Sequence, residues 1–130
     1  MILCGDIGGT NTRLALASVQ GGGVVRILSS WRVPGREVGS LGAAVTQFLS
    51  QPPQQALLQA HGGRVQAACL GVAGPVVGRR VQMTNLTWCI DGDELSQLLG
   101  GAPVSLVNDF QAALDWSLGG PQWAPRVGPP

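Results

Sequence analysis

The sequence predicts an α/β fold in which a mixed β-sheet carries helices packed against it. Three observations predict it. Three strand-like segments separated by glycine-rich turns open the chain as a meander. Strands and helices then alternate. A near-continuous apolar run, residues 65–73, has the composition of a strand buried on both faces. The predicted order is β-β-β-α-β-β-α-β-α.

Each element has its own justification. Residues 2–7 are a short apolar run ended by Gly8-Gly9, and residues 13–19 alternate as a second strand. Gly8-Gly9-Thr10-Asn11 between them has tight-turn composition, so the pair reads as a β-hairpin. Gly21-Gly22-Gly23 makes the next turn, and residues 24–33 alternate as a third strand. That alternation puts Val25, Ile27 and Ser29 on one face and Val24, Arg26 and Leu28 on the other, until Pro34-Gly35 stops the strand. Ser40 is placed to cap a helix whose apolar positions are Leu41, Ala44, Val45, Phe48 and Leu49. Pro52-Pro53 breaks it, and residues 54–60 resume it. Gly74-Pro75 ends the buried strand, and residues 79–83 form a short strand after a turn at Gly78. Asp91 and Glu94 form a capping-box-like pair ahead of Leu95, Leu98 and Leu99, with Gly100-Gly101 closing that helix. Residues 104–107 are a strand that runs straight into Asn108-Asp109 and a last helix with Phe110, Ala113, Leu114 and Ser117 inward. After Gly119-Gly120 the chain is too rich in proline for a regular element, so 1–118 is the predicted domain and 119–130 a tail or linker.

Composition narrows the function. The chain has 130 residues, 45% hydrophobic and 12% charged, which suits one domain with a real core and not a disordered segment. All eight basic residues are Arg, and with seven acids the net charge is +1, so no basic excess is available for a nucleic-acid backbone. No apolar run approaches the roughly 18 residues that span a bilayer. The first residues meet Asp6 at once and carry no positive n-region, which argues against a signal peptide and for a cytoplasmic protein. Cys4, Cys69 and Cys89 are odd in number and form no CxxC pair, so neither a disulfide framework nor a zinc site is expected. Cys4 and Cys69 read as small buried hydrophobes. His61, the lone histidine, falls where a helix ends, and nothing places it near a nucleophile.

Three segments can carry chemistry. In Asp6-Ile7-Gly8-Gly9-Thr10-Asn11, the two glycines permit positive φ and let backbone N–H groups approach an anion closely, while Thr10 adds a hydroxyl. A carboxylate at Asp6 beside such a turn makes sense if Mg²⁺ lies between it and a phosphate. There is no GxxxxGK[ST] motif and no Lys, and a plain glycine-rich hairpin turn fits the segment as well as a phosphate loop does. Asn108-Asp109 sits where a strand ends and a helix begins, the place where open α/β sheets gather ligand-binding residues. An Asp there can accept a hydroxyl proton while Asn108 orients the same substrate, a service worth ~10²–10⁴ in rate. Taken alone, the position fits an N-cap better. Met83-Thr84-Asn85-Leu86-Thr87-Trp88 offers amides and hydroxyls beside an aromatic, the groups that hold sugars, although Trp88 itself reads as core.

Taken together, the three segments resemble the N-terminal domain of the bacterial-type ATP-dependent glucokinases, in the actin/hexokinase/Hsp70 superfamily. The matching pieces are residues 5–16 (GDIGGTNTRLAL), AGPV at 73–76 with MTNLTW at 83–88, and LVNDFQA at 106–112. The DxGGT hairpin alone would indicate the superfamily; joined to MTNxTW and VNDF it indicates the glucokinase branch. The resemblance implies a ribonuclease H-like mixed sheet with flanking helices. It also implies that Asp6 acts on the Mg²⁺ side, that Gly8, Gly9, Thr10 and Asn11 face the ATP phosphates, and that Asn108, Asn85 and Thr84 bind the sugar. Asp109 would be the base that takes the proton from the glucose 6-hydroxyl.

The same resemblance sets an expectation about completeness. Glucokinases run to more than twice this length, and their second domain carries a further glycine-rich nucleotide loop and the rest of the sugar site. The chain is therefore expected to be an N-terminal lobe, a truncated product or half of a longer enzyme, with little activity alone. Its implied partners are glucose or a related hexose, and a separate C-terminal lobe or a second copy; no nucleic acid or membrane is expected. The alternative is a non-enzymatic remnant that binds sugar or a partner protein. The related ROK repressors carry a helix-turn-helix ahead of the kinase-like lobe, whereas here the hairpin starts at residue 2.

Overall fold

The structure, a computed structural model, describes residues 1–20, 24–83 and 88–107. Along the chain run β1 (Ile2–Ile7), β2 (Asn11–Gln20), β3 (Val24–Pro34), a 3₁₀ turn (Gly35–Glu37), α1 (Leu41–Ser50), α2 (Pro52–Ala60), β4 (Ala67–Val72), β5 (Val76–Val77), β6 (Arg80–Gln82), β7 (Cys89–Asp91), α3 (Gly92–Leu98) and β8 (Val104–Val107). The main sheet has the order β3-β2-β1-β4-β8. Strands β3, β2 and β1 are the antiparallel meander, while β1, β4 and β8 run parallel. A second, three-stranded antiparallel sheet, β5-β6-β7, follows β4. The mixed sheet with flanking helices is as the sequence predicts. The last predicted helix and the tail lie outside the described residues, and β5 and β7 are strands that the sequence reading did not find.

The pleat sorts side chains onto two faces. Leu3, Ile7, Leu14, Leu16, Leu70 and Val104 join Val45 and Phe48 of α1 in the larger core. Ile2, Cys4 and Ala17 form a smaller cluster on the opposite face, with Val19, Val25, Ile27 and Ala67 packed against it. Gly5 belongs to the first face. A Cβ there would lie 2.6 Å from Leu70 Cδ2, so glycine lets the Leu70 side chain cross the middle of β1.

A β-bulge between Leu16 and Ala17 resets the pairing of β2 with β3: Ala17 opposes Ile27, but Leu16 opposes Ser29. The extra residue, Leu28, and its neighbour Ser29 both turn to the helical side. Leu28 packs on the larger core, and Ser29 Oγ donates to Gln54 Oε1 of α2. This corrects the expected grouping of Ser29 with Val25 and Ile27. Past the bulge, Trp31 reaches α1 and stacks on Phe48, with ring centroids 6.1 Å apart and planes 6° from parallel.

Capping residues fix the helices. Ser40 Oγ accepts from Ala43 N at 3.1 Å. The first helix ends at Ser50, just before Pro52-Pro53 as expected, and the second resumes at the prolines themselves, which occupy the first turn of α2 where a missing N–H costs nothing. Gln54, 2% exposed, donates from Nε2 to Phe48 O and Gln51 Oε1, each at 3.0 Å, and so closes the end of α1. His61 ends α2, as expected from Gly62-Gly63 after it, and its Nδ1 lies 2.9 Å from Leu57 O. Asp91 caps α3 by accepting from Asp93 N and Glu94 N. Arg79 ties this corner together: its Nε donates to Asp93 Oδ1 at 2.8 Å and its Nη1 to Val104 O at 2.9 Å.

Candidate phosphate-binding site at the first hairpin turn

Parallel strands β1, β4 and β8 all end on the same side of the sheet, and the candidate residues of the first hairpin, Asp6 and Gly8 to Asn11, lie there. One row of paired positions crosses all five strands on this side: Arg32 of β3 opposes Arg13 of β2, Arg13 opposes Asp6 of β1, Asp6 opposes Gly71 of β4, and Gly71 opposes Val107 of β8. Asp6 and Arg13 alternate with Ile7 and Leu14, which belong to the larger core, so the row's side chains project on the face away from α1.

The turn that follows Asp6 is closed by Gly8 N donating to Asn11 O at 2.9 Å. It is tethered to the end of β3 by Gly35 N donating to Thr10 O, also at 2.9 Å. The amides of Gly9 and Thr10 make no backbone hydrogen bond among the described residues. They are therefore free to donate to an anion, as the sequence suggests. The glycines serve differently from expectation, however. The positive-φ glycines among the described residues are Gly62, Gly63, Gly78, Gly100 and Gly101, so neither Gly8 nor Gly9 uses left-handed backbone. At Gly8 the requirement is close approach: a Cβ would sit 3.3 Å from Asn11 O, the atom its own N–H binds.

Asp6, Gly8, Gly9, Thr10, Asn11, Arg13 and Arg32 line a cavity of about 360 Å³. Burial pushes the Asp6 carboxyl above its ordinary value, and the Arg13 guanidinium beside it pulls only partly the other way. A carboxylate whose ionised form is disfavoured by desolvation gains when a cation arrives. Among the described residues no three His, Cys, Asp or Glu side chains cluster to form a cage for a metal. A single carboxylate in a phosphate-sized cavity suits Mg²⁺, which retains waters and takes its other ligands from phosphates.

Beside the turn, Ala73 N donates to Ile7 O at 3.0 Å and extends the β1–β4 ladder into the next loop. Gly74 then passes close to β6, where a Cβ would meet Gln82 O at 2.8 Å. Trp88 is 6% exposed and packs in the larger core, as its sequence context suggested, and its carbonyl accepts from Met83 N at 3.0 Å. Thr84, Asn85, Asn108 and Asp109 lie outside the described residues. Arg13 and Arg32 are site residues that the sequence reading passed over. Arg13 follows Asn11 by two positions on a strand, which alone puts it on the same face, whereas Arg32 depends on the bulge.

Residues 3–121 match the family model described as glucokinase. The chain belongs to the glucokinase family. It is 38% identical over 111 residues to the glucokinase of Tolumonas auensis, covering 85% of this chain and 31% of that enzyme. The glucokinase of Yersinia pestis gives 38% over 110 residues, with 85% of this chain and 30% of the relative covered. The chain thus spans about a third of the length of these curated relatives. The crystal structure of a glucokinase from an Antarctic psychrotroph superposes with a TM-score of 0.69 at 31% identity, covering 98% of this chain and 35% of that one. A Balamuthia mandrillaris glucokinase solved with glucose shares the fold, with a TM-score of 0.62 at 24% identity over 91% of this chain and 33% of that one. The glucokinase-family match covers the turn, the β4 loop and the segment after β8, the three places where the motifs stand. Among the described residues no helix is long and apolar enough to cross a membrane.

Proposed function

We propose that this glucokinase-family chain is the lobe that presents phosphate-binding and sugar-binding groups in an ATP-dependent glucokinase, which transfers the γ-phosphoryl group of ATP to the glucose 6-hydroxyl. The observation that carries the reading is the five-strand row that places Asp6 on its central strand, directly before the glycine turn. Gly9 and Thr10 amides and the Thr10 hydroxyl bind phosphate oxygens, and Arg13 adds positive charge. Asp6 holds Mg²⁺, directly or through water, and when bound the ion neutralises charge on the phosphates. The chain leaves β8 at Val107, two strands from Asp6, or ~10 Å at the usual strand spacing. Asn108 and Asp109 follow immediately, so the chain has the reach to bring a base and a sugar ligand to the phosphate. In this reading Asp109 accepts the 6-hydroxyl proton as the oxygen attacks the γ-phosphorus and ADP departs; Asn108, Asn85 and Thr84 hold the sugar. Residues 1–118 act as the lobe and 119–130 as a linker, and the rest of the nucleotide site comes from a C-terminal lobe.

The test is reconstitution. The full chain is mixed with the C-terminal portion of the Tolumonas auensis glucokinase, and glucose-dependent ADP release is followed. The mixture should turn over, and Asp109→Ala should lower the rate by ~10²–10⁴ with an unchanged circular dichroism spectrum. Equal rates for wild type and Asp109→Ala would refute the mechanism.

A further inference from the structure

The row that positions Asp6 continues one strand beyond Arg13, to a residue the glucokinase reading leaves without a role. Arg32 is exposed, lines the same cavity as the turn, and stands directly opposite Arg13. Like charges in directly opposed positions of an antiparallel pair oppose the pairing. Elsewhere in the described structure Arg79 and Arg80 are each paired with an acid, Asp93 and Asp91. Arg32, like the exposed Arg26, Arg36 and Arg64, has no such partner among the described residues, but of these four it alone lines the cavity. The sequence of charges across β1, β2 and β3 is thus minus, plus, plus, with the uncompensated charge at the open edge of the sheet. An anion in the cavity would relieve the opposition of the two guanidiniums while sharing both.

The register that brings Arg32 there is firmly held. Next to it, Trp31 is stacked on Phe48 on the opposite face, and Gly35 N binds Thr10 O on the turn itself. A slip of one residue would send Trp31 to solvent and Arg32 toward the apolar core. A planar guanidinium on a pinned strand, beside free turn amides, suits bidentate recognition of phosphate.

We propose that Arg32 is a ligand-binding residue of this cavity, contacting a phosphate group of a polyphosphate-bearing ligand alongside Arg13 and setting the preference of the site for more highly charged phosphate chains. The inference rests on the phosphate reading of the turn. Its test is calorimetric titration of the full chain with inorganic tripolyphosphate and Mg²⁺ at low and high salt. Arg32→Gln should bind about tenfold more weakly, roughly the 1.4 kcal/mol that one tenfold step represents. Its affinity should also depend less on salt. Arg32→Lys should fall between, because it keeps the charge and loses the fork. Arg26→Gln, an exposed change on the same strand outside the cavity, should match wild type. Tripolyphosphate binding undiminished in Arg32→Gln, or diminished equally in Arg26→Gln, overturns the inference and leaves the phosphate reading standing. No binding by wild type overturns both.

Discussion

Gly74 offers a sharp test of how the loop after β4 holds its place beside the turn. Its φ is not in the left-handed region, so alanine there suffers no backbone strain of its own. The whole effect must come from contact. The added Cβ would lie 2.8 Å from Gln82 O and 3.2 Å from Val81 Cγ1, the first about 0.6 Å inside the 3.4 Å at which ordinary contact begins. Gln82 O is backbone, held in β6, which pairs with β7 on its far side. No rotamer change can relieve it, so either the loop or the small sheet must move. Overpacking of this kind costs ~1–3 kcal/mol. For a chain of this length that is a fall in Tm of roughly 3–10 °C. Urea melts of wild type and Gly74→Ala, with the slope of the transition compared as well as the midpoint, measure it. A Gly74→Ala variant within about 0.5 kcal/mol of wild type would show that the loop yields freely, and the claim that β4 and β6 are rigidly spaced here would be wrong.

Gly42→Ala is the opposite case: its Cβ would meet nothing closer than 3.8 Å within α1, so unfolding should become harder by about 0.5 kcal/mol in the same urea assay. Asp6→Asn should stabilise the fold at pH 7 while weakening Mg²⁺-dependent tripolyphosphate binding. Because the folded carboxyl titrates above its ordinary 3.8, the native state holds the proton longer than the unfolded chain, so wild-type stability falls as pH rises from that value through the raised one; the advantage of the variant should vanish in melts at pH below 3.8. A thiol reagent should modify exposed Cys89 quickly and leave Cys4 and Cys69 until the chain is unfolded. Burial and the neighbouring Cys69 push Cys4 up to about 12, so at pH 8 only roughly one Cys4 in 10⁴ is thiolate; more than one fast-reacting thiol in the native chain would contradict its burial.

Much of this architecture was legible because local signals agreed. Ser40, Asp91, Gly63 and Gly100-Gly101 stop and start helices through hydrogen bonds within a few residues, and those bonds are present. The hairpin turn was legible for the same reason. What escaped depended on contacts between distant segments. Counting outward from the second turn, where Gln20 opposes Val24, an unbroken ladder would place Trp31 opposite Arg13. The bulge shifts the count by one, so that Arg13 faces Arg32 and Leu14 faces Trp31. No turn residue marks that bulge. Its evident beneficiaries are the Trp31–Phe48 stack and the Ser29–Gln54 hydrogen bond, both made with helices that follow in sequence. Strands β5 and β7 escaped because two or three residues cannot display a period; β6 is as short and was legible only within the longer run 79–83 after the turn at Gly78, and β5 and β7 pair with β6 alone.

The bulge also links the core to the site in a way that neither shows alone. On one face it directs Trp31 into the helical layer; on the other it directs Arg32 into the cavity, and both follow from the same single extra residue. The charge that Arg32 brings to the site is therefore set by packing against residues later in the chain, Phe48 and Gln54. A side-chain period of two makes the coupling all-or-none, because a register that loses the stack also turns Arg32 inward, where an unpaired guanidinium is costly. Apolar packing and the cost of burying Arg32 thus select the same register and outweigh the opposition of Arg13 and Arg32, which is why a strand at the edge of the sheet, carrying two exposed arginines, can still hold a defined alignment beside the turn.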